Sequence, residues 1–530
     1  MKEDTYHLDE VVVVGYGVQK KAHLTGSVAA INSAEIVKTV SSNVSQALVG
    51  KLPGIITKQS SGAPGSDNVT MLVRGQSSWK QGGPLTLVDG TERPLSSLDP
   101  SDIESISVLK DAASCAVYGM RGADGVILVT TKKGSEGKAV VHYNGTVTMQ
   151  RSTTLPKMMN GTQYMQYYNL ARVMDGLDPY FTDEEIAATH NGNVDDGLEN
   201  TDWTAGIYRP TFMQRHSVSL SGGSEKIKYY VSGGYLHQNG LIKGMKNEKK
   251  TLRANIDAKP GDNWHISVNL GGSFNDYVRP GAYSVDEQGY LSLFKLYLYS
   301  YPFVPKMYQG HHTGAWRLSG HNPEYGAEHS GGVRQQTTRI ETSGIIEYDF
   351  PFIKGLKASL FGSYDWVDED GSALAHGYML SQYMFNDKQY KYIKAGDFVK
   401  GGSLNRTDSK STQAVIRPSL SWSRSFGKHE ASALFLYEAT LKHWATFSAG
   451  RRNFSLPGLY ELDLADKSTM VNGGNYRNAA WAGYIGRLNY SYAQKYLAEL
   501  SFRYDGSYLC LLYTSPSPRD LSTSRMPSSA

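Results

Sequence analysis

Four histidines and two glutamates gather in one stretch of this chain: His311, His312, His321 and His329 with Glu324 and Glu328. Imidazole and carboxylate are the groups a divalent metal takes. Their spacing matches neither a helical nor a hairpin ligand set, and the stretch reads as a solvated, aromatic-rich surface loop. Gly15-Tyr16-Gly17 starts like a dinucleotide fingerprint but carries Lys20 where the third glycine belongs. No Walker loop, no Gly-x-Ser-x-Gly elbow and no His-Glu-x-x-His helix occurs. Cys115, between Ser114 and Ala116, reads as a small helix residue. No catalytic residue and no cofactor is expected.

The run Leu8-Asp9-Glu10-Val11-Val12-Val13-Val14-Gly15-Tyr16-Gly17 offers different chemistry. A short β-branched strand flanked by charge and glycine can add to the edge of another protein's sheet, where main-chain hydrogen bonds supply the affinity. Four valines also suit a buried strand. Position favours the first reading: polar residues precede the run, and Gly15, Gly17 and Lys20-Lys21 follow before any core begins.

The elements that would position such a segment follow from composition and periodicity. The 530 residues are 40% hydrophobic and 20% charged, with a mean hydropathy of −0.41. Net charge is +4, from 54 basic and 50 acidic side chains, which gives no nucleic-acid footprint. No run approaches the ~20 apolar residues of a membrane helix, and two cysteines make no disulfide scaffold. Abundant Gly (55) and Tyr (36) favour β-structure with tight turns. A β-barrel passes every one of these filters, because its hydrophobic signal per segment is weak.

From Ala139 onward the chain alternates with a period of two. Leu252, Ala254, Ile256 and Ala258 alternate with Arg253, Asn255 and Asp257; Leu356, Ala358, Leu360, Tyr364 and Trp366 alternate with Lys357, Ser359, Ser363 and Asp365. About eleven strands are predicted, starting near Ala139, Phe212, Lys226, Thr251, Trp264, Thr337, Leu356, Ser411, Glu430, Ala479 and Tyr496. Tight turns at 222–225, 259–263, 351–355, 427–429 and 494–495 alternate with the segments 152–211, 277–336, 371–410 and 446–478, the short 240–250 apart. Short turns on one rim and long loops on the other belong to an outer-membrane barrel. A soluble sandwich would carry the opposite polarity, apolar within and polar without. Pro418 is a misfit inside its strand, since it removes a ladder donor.

The motifs before the barrel carry a family resemblance. Val73-Arg74-Gly75, Pro84-Leu85-Thr86-Leu87-Val88-Asp89-Gly90, Asp102-Ile103-Glu104 through Lys110-Asp111, Tyr118-Gly119, Arg121-Gly122 and Gly125-Val126-Ile127 resemble the plug of the SusC/RagA family of TonB-dependent outer-membrane transporters of Bacteroidetes. The valine run resembles that family's TonB box. The resemblance implies a mixed α/β plug domain followed by an antiparallel transmembrane β-barrel of ~22 strands when complete, of which this chain holds about half as an open, curved sheet. It divides the chain into a TonB box and linker (1–21), a plug (22–138), the N-terminal half of the barrel with long extracellular loops (139–509), and 510–530, which resembles translated sequencing adapter and is expected to be disordered. Met1 is expected to be an internal or gene-model start.

The resemblance further implies TonB-dependent import of a glycan oligosaccharide or peptide across the cell outer membrane. Its partners would be the TonB C-terminal domain, a SusD-like lipoprotein, outer-membrane lipid and the oligosaccharide or peptide ligand, with no nucleic acid and no metal. Asp9, Glu10, Val11, Val12, Val13, Val14 and Gly15 would couple to TonB. Arg74, Gly75, Asp89, Gly90, Glu104, Lys110, Tyr118, Gly119, Arg121, Gly122 and Gly125 would serve plug folding and plug–barrel contact. Two other readings stay open: a ligand-binding receptor with a signalling role, and a secreted carbohydrate-binding β-protein. Loop aromatics such as Trp316, Tyr325, Tyr378 and Tyr383 suit sugar or peptide equally.

If strand addition carries the energy, Val12→Thr in the whole receptor is mild. Val12→Pro removes a donor and fixes φ, and it abolishes uptake while surface binding persists. Normal growth of Val12→Pro cells on the transported nutrient as sole carbon source contradicts this.

Overall fold

The computed structural model describes residues 11–14, 17–20, 28–73, 75, 83–192, 197–205, 208–281, 296–314, 322–395, 401–456, 458–493 and 495–507. Asp9, Glu10, Gly15, Arg74, Trp316, His321 and the 510–530 segment lie outside them.

Eleven strands form one antiparallel sheet in sequential order: Gly137–Gln150, Thr211–Gly223, Ile227–Asn239, Lys246–Gly261, Trp264–Pro280, Gly331–Asp349, Leu356–Ala375, Ser403–Phe426, His429–Phe454, Ala465–Tyr492 and Tyr496–Ser507. The sheet is not closed: among the described residues its first and last strands each pair along one edge. Its polarity is that of a barrel wall. Along Lys246–Gly261 the buried positions are Asn247, Lys249, Thr251, Arg253 and Asn255, whereas Leu252 is 59% exposed. Ser363 and Asp365 are buried on Leu356–Ala375 while Leu360 and Tyr364 are exposed. Apolar side chains facing out and polar ones facing in suit hydrocarbon outside and a wet or polar filling inside.

Several strands start earlier than alternation predicts, at Lys246, Gly331, Ser403 and Ala465. The early stretches continue the ladder with polar residues on both faces, as in Ser403-Leu404-Asn405-Arg406-Thr407-Asp408. Apolar alternation marks the outward band alone, so it vanishes where the strands rise beyond it. Pro418 has a local consequence. Ser403–Phe426 pairs with His429–Phe454 up to Ile416–Ala439 and resumes in the same register at Ser419–Leu436. The ladder lapses where the missing N–H would have pointed. Tyr492 and Tyr496 flank a tight turn, and Tyr484 pairs with Tyr504 on the same two strands.

The plug is a five-stranded mixed sheet, ordered Val28–Asn32, Ile103–Leu109, Val126–Thr131, Leu85–Val88 and Thr91–Glu92. Its central strands are buried on both faces and so read as near-continuous apolar runs. One face packs Ile106, Val108, Ile127 and Val129 against Ile36, Val44, Ala47 and Leu48 of the short helices Ser33–Val37 and Val44–Ala47 and their flanks. Asn32 and Asn43 cap those helices, accepting from Glu35 N and Ser45 N. The other face, with Leu87, Leu109, Val126 and Leu128, packs on Leu436 and Ile485 of the wall. Ahead of the plug, Val11–Val14 pairs in a hairpin with Gly17–Lys20.

The long loops carry structure of their own. The helices Gly161–Met174 and Asp183–Asn191 each begin in a capping box, at Asn160/Gln163 and Thr182/Glu185. They enclose an aromatic cluster that includes Phe181, Trp203, Tyr301, Phe303 and Tyr383. The histidine stretch is more ordered than its spacing implied: His311 and His312 lie on the strand His311–Gly314, and Glu324, Glu328 and His329 on the helix Pro323–His329. Tyr325 stacks between His312 and His329, at 4.1 and 3.9 Å between ring centroids. Glu324 and Glu328 pair with Lys306 and Lys243. No group of three metal-ligating side chains occurs among the described residues. Tyr378 and Tyr383 are buried, so they hold the loops together instead of offering a face to ligand.

The outward band gives a test. Leu270→Arg, near its middle, costs about 2–4 kcal/mol of folding free energy in vesicles. An unchanged refolding titration of the full-length protein would mean that this face does not meet lipid.

Candidate plug–wall interface and lumenal cavity

The turn between Leu85–Val88 and Thr91–Glu92 presents the plug to the wall. Asp89 and Gly90 both have positive φ, 48° and 84°, which closes the hairpin in two residues. Asp89 accepts from Thr131 N at 3.0 Å and from Thr131 Oγ1 at 2.8 Å, which ties the turn to the neighbouring plug strand. Just beyond the turn stands Arg93, whose side chain is 1% exposed.

Register explains what Arg93 does. Glu341 stands directly opposite Asp365 on adjacent wall strands, and like charges so placed repel. The plug supplies a cation that bridges the two. Arg93 Nε and Nη2 donate to Asp365 at 2.9 and 2.7 Å, Nη2 also donates to Thr342 O at 3.1 Å, and Glu341 lies at 3.8 Å. Arg253 of the wall stands 4.0 Å from Glu341, 3.6 Å from Asp89 and 3.9 Å from Asp102. Asp102 accepts from Tyr230 and Ser232 of the wall at 3.0 and 2.5 Å. Burial, with Asp99 beside it, pushes the Asp102 carboxyl up against the pull of Arg253.

A second set lies where Pro418 interrupts the ladder. Arg417 donates to Glu438 at 2.9 and 2.7 Å and to Gly90 O of the plug at 3.1 Å. Arg503 lies 3.4 Å from Glu438 and donates to Val117 O at 2.8 Å. Wall cations also reach plug carbonyls elsewhere: Lys249 donates to Ser96 O and Leu98 O at 2.5 and 2.9 Å, and Arg215 to Ser41 O. Charges removed from water need partners of this kind.

Of the plug residues singled out from sequence, Asp89, Gly90, Tyr118, Gly119 and Arg121 lie at this interface. Gly119 takes a left-handed φ of 61°, which favours glycine, and lies against Asp505 and Arg503 of the wall. Gly75, Lys110, Gly122 and Gly125 lie within the plug: Lys110 donates to Pro53 O, and a Cβ on Gly125 would meet Val73 at 2.7 Å. Glu104 is exposed. Sequence reasoning placed Arg253 and Asp365 on the polar face of their strands without their partners. It missed Arg93, Glu341, Arg417 and Glu438: Arg93 meets Asp365 and Arg417 meets Gly90 across hundreds of positions, and the Glu341–Asp365 and Arg417–Glu438 neighbours depend on the exact strand register.

Above this layer opens a cavity of about 550 Å³ between plug and wall. The plug contributes Pro84, Glu92, Arg93 and Arg121; the wall contributes Arg339, Asp365, Ser411, Gln413, Lys442 and Trp444. Glu92 pairs with Arg121 and, at 2.6 Å, with Lys442. Burial opposes its ionisation, yet the two cations together hold its carboxyl below the ordinary range. Arg121 and Lys442 also stand over the Trp481 ring, at 4.8 and 5.4 Å.

Residues 20–126 match the TonB-dependent Receptor Plug Domain family. Over 96% of its length the chain is 27% identical to the TonB-dependent receptor SusC of Bacteroides thetaiotaomicron, covering 50% of that protein. Over 94% it is 29% identical to the TonB-dependent receptor P26 of Formosa agariphila, covering 48%. The fold superposes on the RagAB peptide importer in its open-open state with a TM-score of 0.78 at 21% identity, covering 94% of this chain and 56% of that one. The chain thus spans about half the length of the curated relatives it matches.

The interface yields a measurable expectation. Asp365→Asn leaves Arg93 buried without its bidentate partner and lowers plug stability by about 3–5 kcal/mol. Lys38→Ala, which breaks the exposed pair to Glu35, leaves it unchanged. Urea titration of a fluorophore on the plug of the full-length protein reads both; equal effects would refute the assignment.

Proposed function

We propose that this chain, a TonB-dependent receptor of the SusC/RagA kind, serves active import of a glycan oligosaccharide or peptide across the outer membrane. In this reading a SusD-like surface lipoprotein delivers the ligand to the long loops. The TonB C-terminal domain takes hold of Asp9–Gly15, and the plug loosens from the wall to let the solute pass.

The observation that carries the reading is how the plug is held. Plug Arg93 and wall Arg253, Arg417 and Arg503 join plug to wall through paired charges and backbone carbonyls, with a small apolar seat at Leu436 and Ile485. Such an interface resists thermal release but yields when a pull admits water to both partners at once. The hairpin of Val11–Val14 with Gly17–Lys20 occupies one edge of the coupling strand. TonB would therefore use the other edge or displace the hairpin. An apolar outward face favours a membrane wall over a secreted β-protein.

Uptake in cells carrying the whole receptor tests this. Labelled oligosaccharide or peptide pools are expected to accumulate, and a protonophore or deletion of residues 9–15 is expected to stop accumulation without stopping surface binding. Absence of energised accumulation from both pools, or accumulation unaffected by that deletion, overturns the reading.

A further inference from the structure

The cavity above the plug has a chemical bias of its own. Four cationic side chains line it, Arg93, Arg121, Arg339 and Lys442, against two carboxylates, Glu92 and Asp365. Arg93 and Asp365 satisfy each other in a bidentate pair. Glu92 is shared by Arg121 and Lys442, one carboxylate between two cations. The carboxylate nearest Arg339 is Glu341, at 3.9 Å, which also serves Arg93 at 3.8 Å and Arg253 at 4.0 Å.

Register sharpens the bias. Two adjacent rows of inward positions run across the wall strands. The lower row is Glu341, Asp365, Gln413 and Lys442, and it meets the plug. The upper row, one step nearer the long loops, is Arg339, Val367, Ser411, Trp444 and Arg477. It holds two guanidiniums, a hydroxyl and an indole, and no acid. Arg477 lies over the Trp444 ring at 5.9 Å. A solute coming from the loops meets this row before it meets the plug.

We infer that this cavity binds a carboxylate of the imported solute, with the Arg339 guanidinium as a forked donor, Lys442 as a second charge and Trp444 as a platform for the apolar part beside it. The inference rests on the importer reading and adds the class of solute, an acidic oligomer. A guanidinium fork matches a carboxylate in two parallel hydrogen bonds. Positive charge in a walled lumen concentrates anions from solution. The volume falls in the range of small-ligand sites, about 300–1,000 Å³. The carboxylate has two sources with this chemistry, the side chains of an acidic peptide and the uronic acids of a glycan.

Calorimetry on the whole receptor in detergent separates them. The probes are hexaglutamate against hexaglutamine, and a galacturonate oligomer against a neutral glucose oligomer of equal length. At least one acidic probe is expected to bind tenfold or more tighter than its neutral counterpart at low salt, with the advantage shrinking as salt rises. Whichever acidic probe shows it names the source. Arg339→Gln and Ser411→Glu are each expected to weaken that probe tenfold or more and to leave the neutral one unchanged, with the heat-modifiable band on gels reporting that both variants fold. Equal binding of acidic and neutral probes, or acidic binding untouched by the two variants, overturns the inference. Energised uptake of neutral oligomers alongside such a result would leave the importer reading standing. Acidic binding without any energised uptake would do the reverse.

Discussion

The structure turns on one guanidinium. Arg93 enters between Glu341 and Asp365, two carboxylates that the register of the wall sets side by side. Wall Arg253 and Arg339 stand 4.0 and 3.9 Å from Glu341, and Arg93 gives Asp365 its bidentate partner, so each of the two like charges that plug and wall bury together meets a guanidinium. The wall is thus completed electrostatically by the domain packed on its polar face. Arg253 extends the arrangement by standing among Glu341, Asp89 and Asp102.

That constraint explains the inverted strands. A wall that contacts hydrocarbon outside and a charged domain inside must alternate apolar and polar residues throughout its band, and the period of two is what makes the eleven strands legible in the sequence. The plug's apolar runs and glycine turns are legible for a similar reason, since each is a local requirement of a buried sheet or a positive φ. Where both faces turn polar, as along Ser403–Asp408, the strand persists with no pattern to announce it. Pro418 is recognisable in the sequence as a ladder fault, but nothing there tells that Arg417 and Glu438 occupy the place where the ladder lapses.

What stays hidden has one physical cause. A charged residue on an alternating face declares that it points inward, and says nothing of what it meets there. Arg93 follows a turn motif and reads equally well as a solvated residue. Its partner Asp365 lies on a strand more than two hundred residues away. The loops show the same limit. Tyr378 and Tyr383 have the composition of a ligand-stacking surface, and burial assigns them to the loop core. Aromatic content alone does not separate a binding platform from a packed cluster.

The balance of polar and apolar contact at the interface also decides how the plug can leave. Apolar burial costs free energy in proportion to the area exposed, whatever the route. A buried ion pair behaves differently. Removing one partner strands the other charge, but separating both into water returns the desolvation cost of each while giving up their attraction. Displacement of the plug as a body lets water reach Arg93, Asp365, Arg417 and Glu438 together, so hydration of each charge offsets part of the attraction given up. The apolar seat on Leu436 and Ile485 gives no such return and sets a floor to the work of release. A plug seated mainly on paired charges is therefore stable at rest and comparatively easy to move once hydrated, a combination that an apolar core of equal strength could not provide.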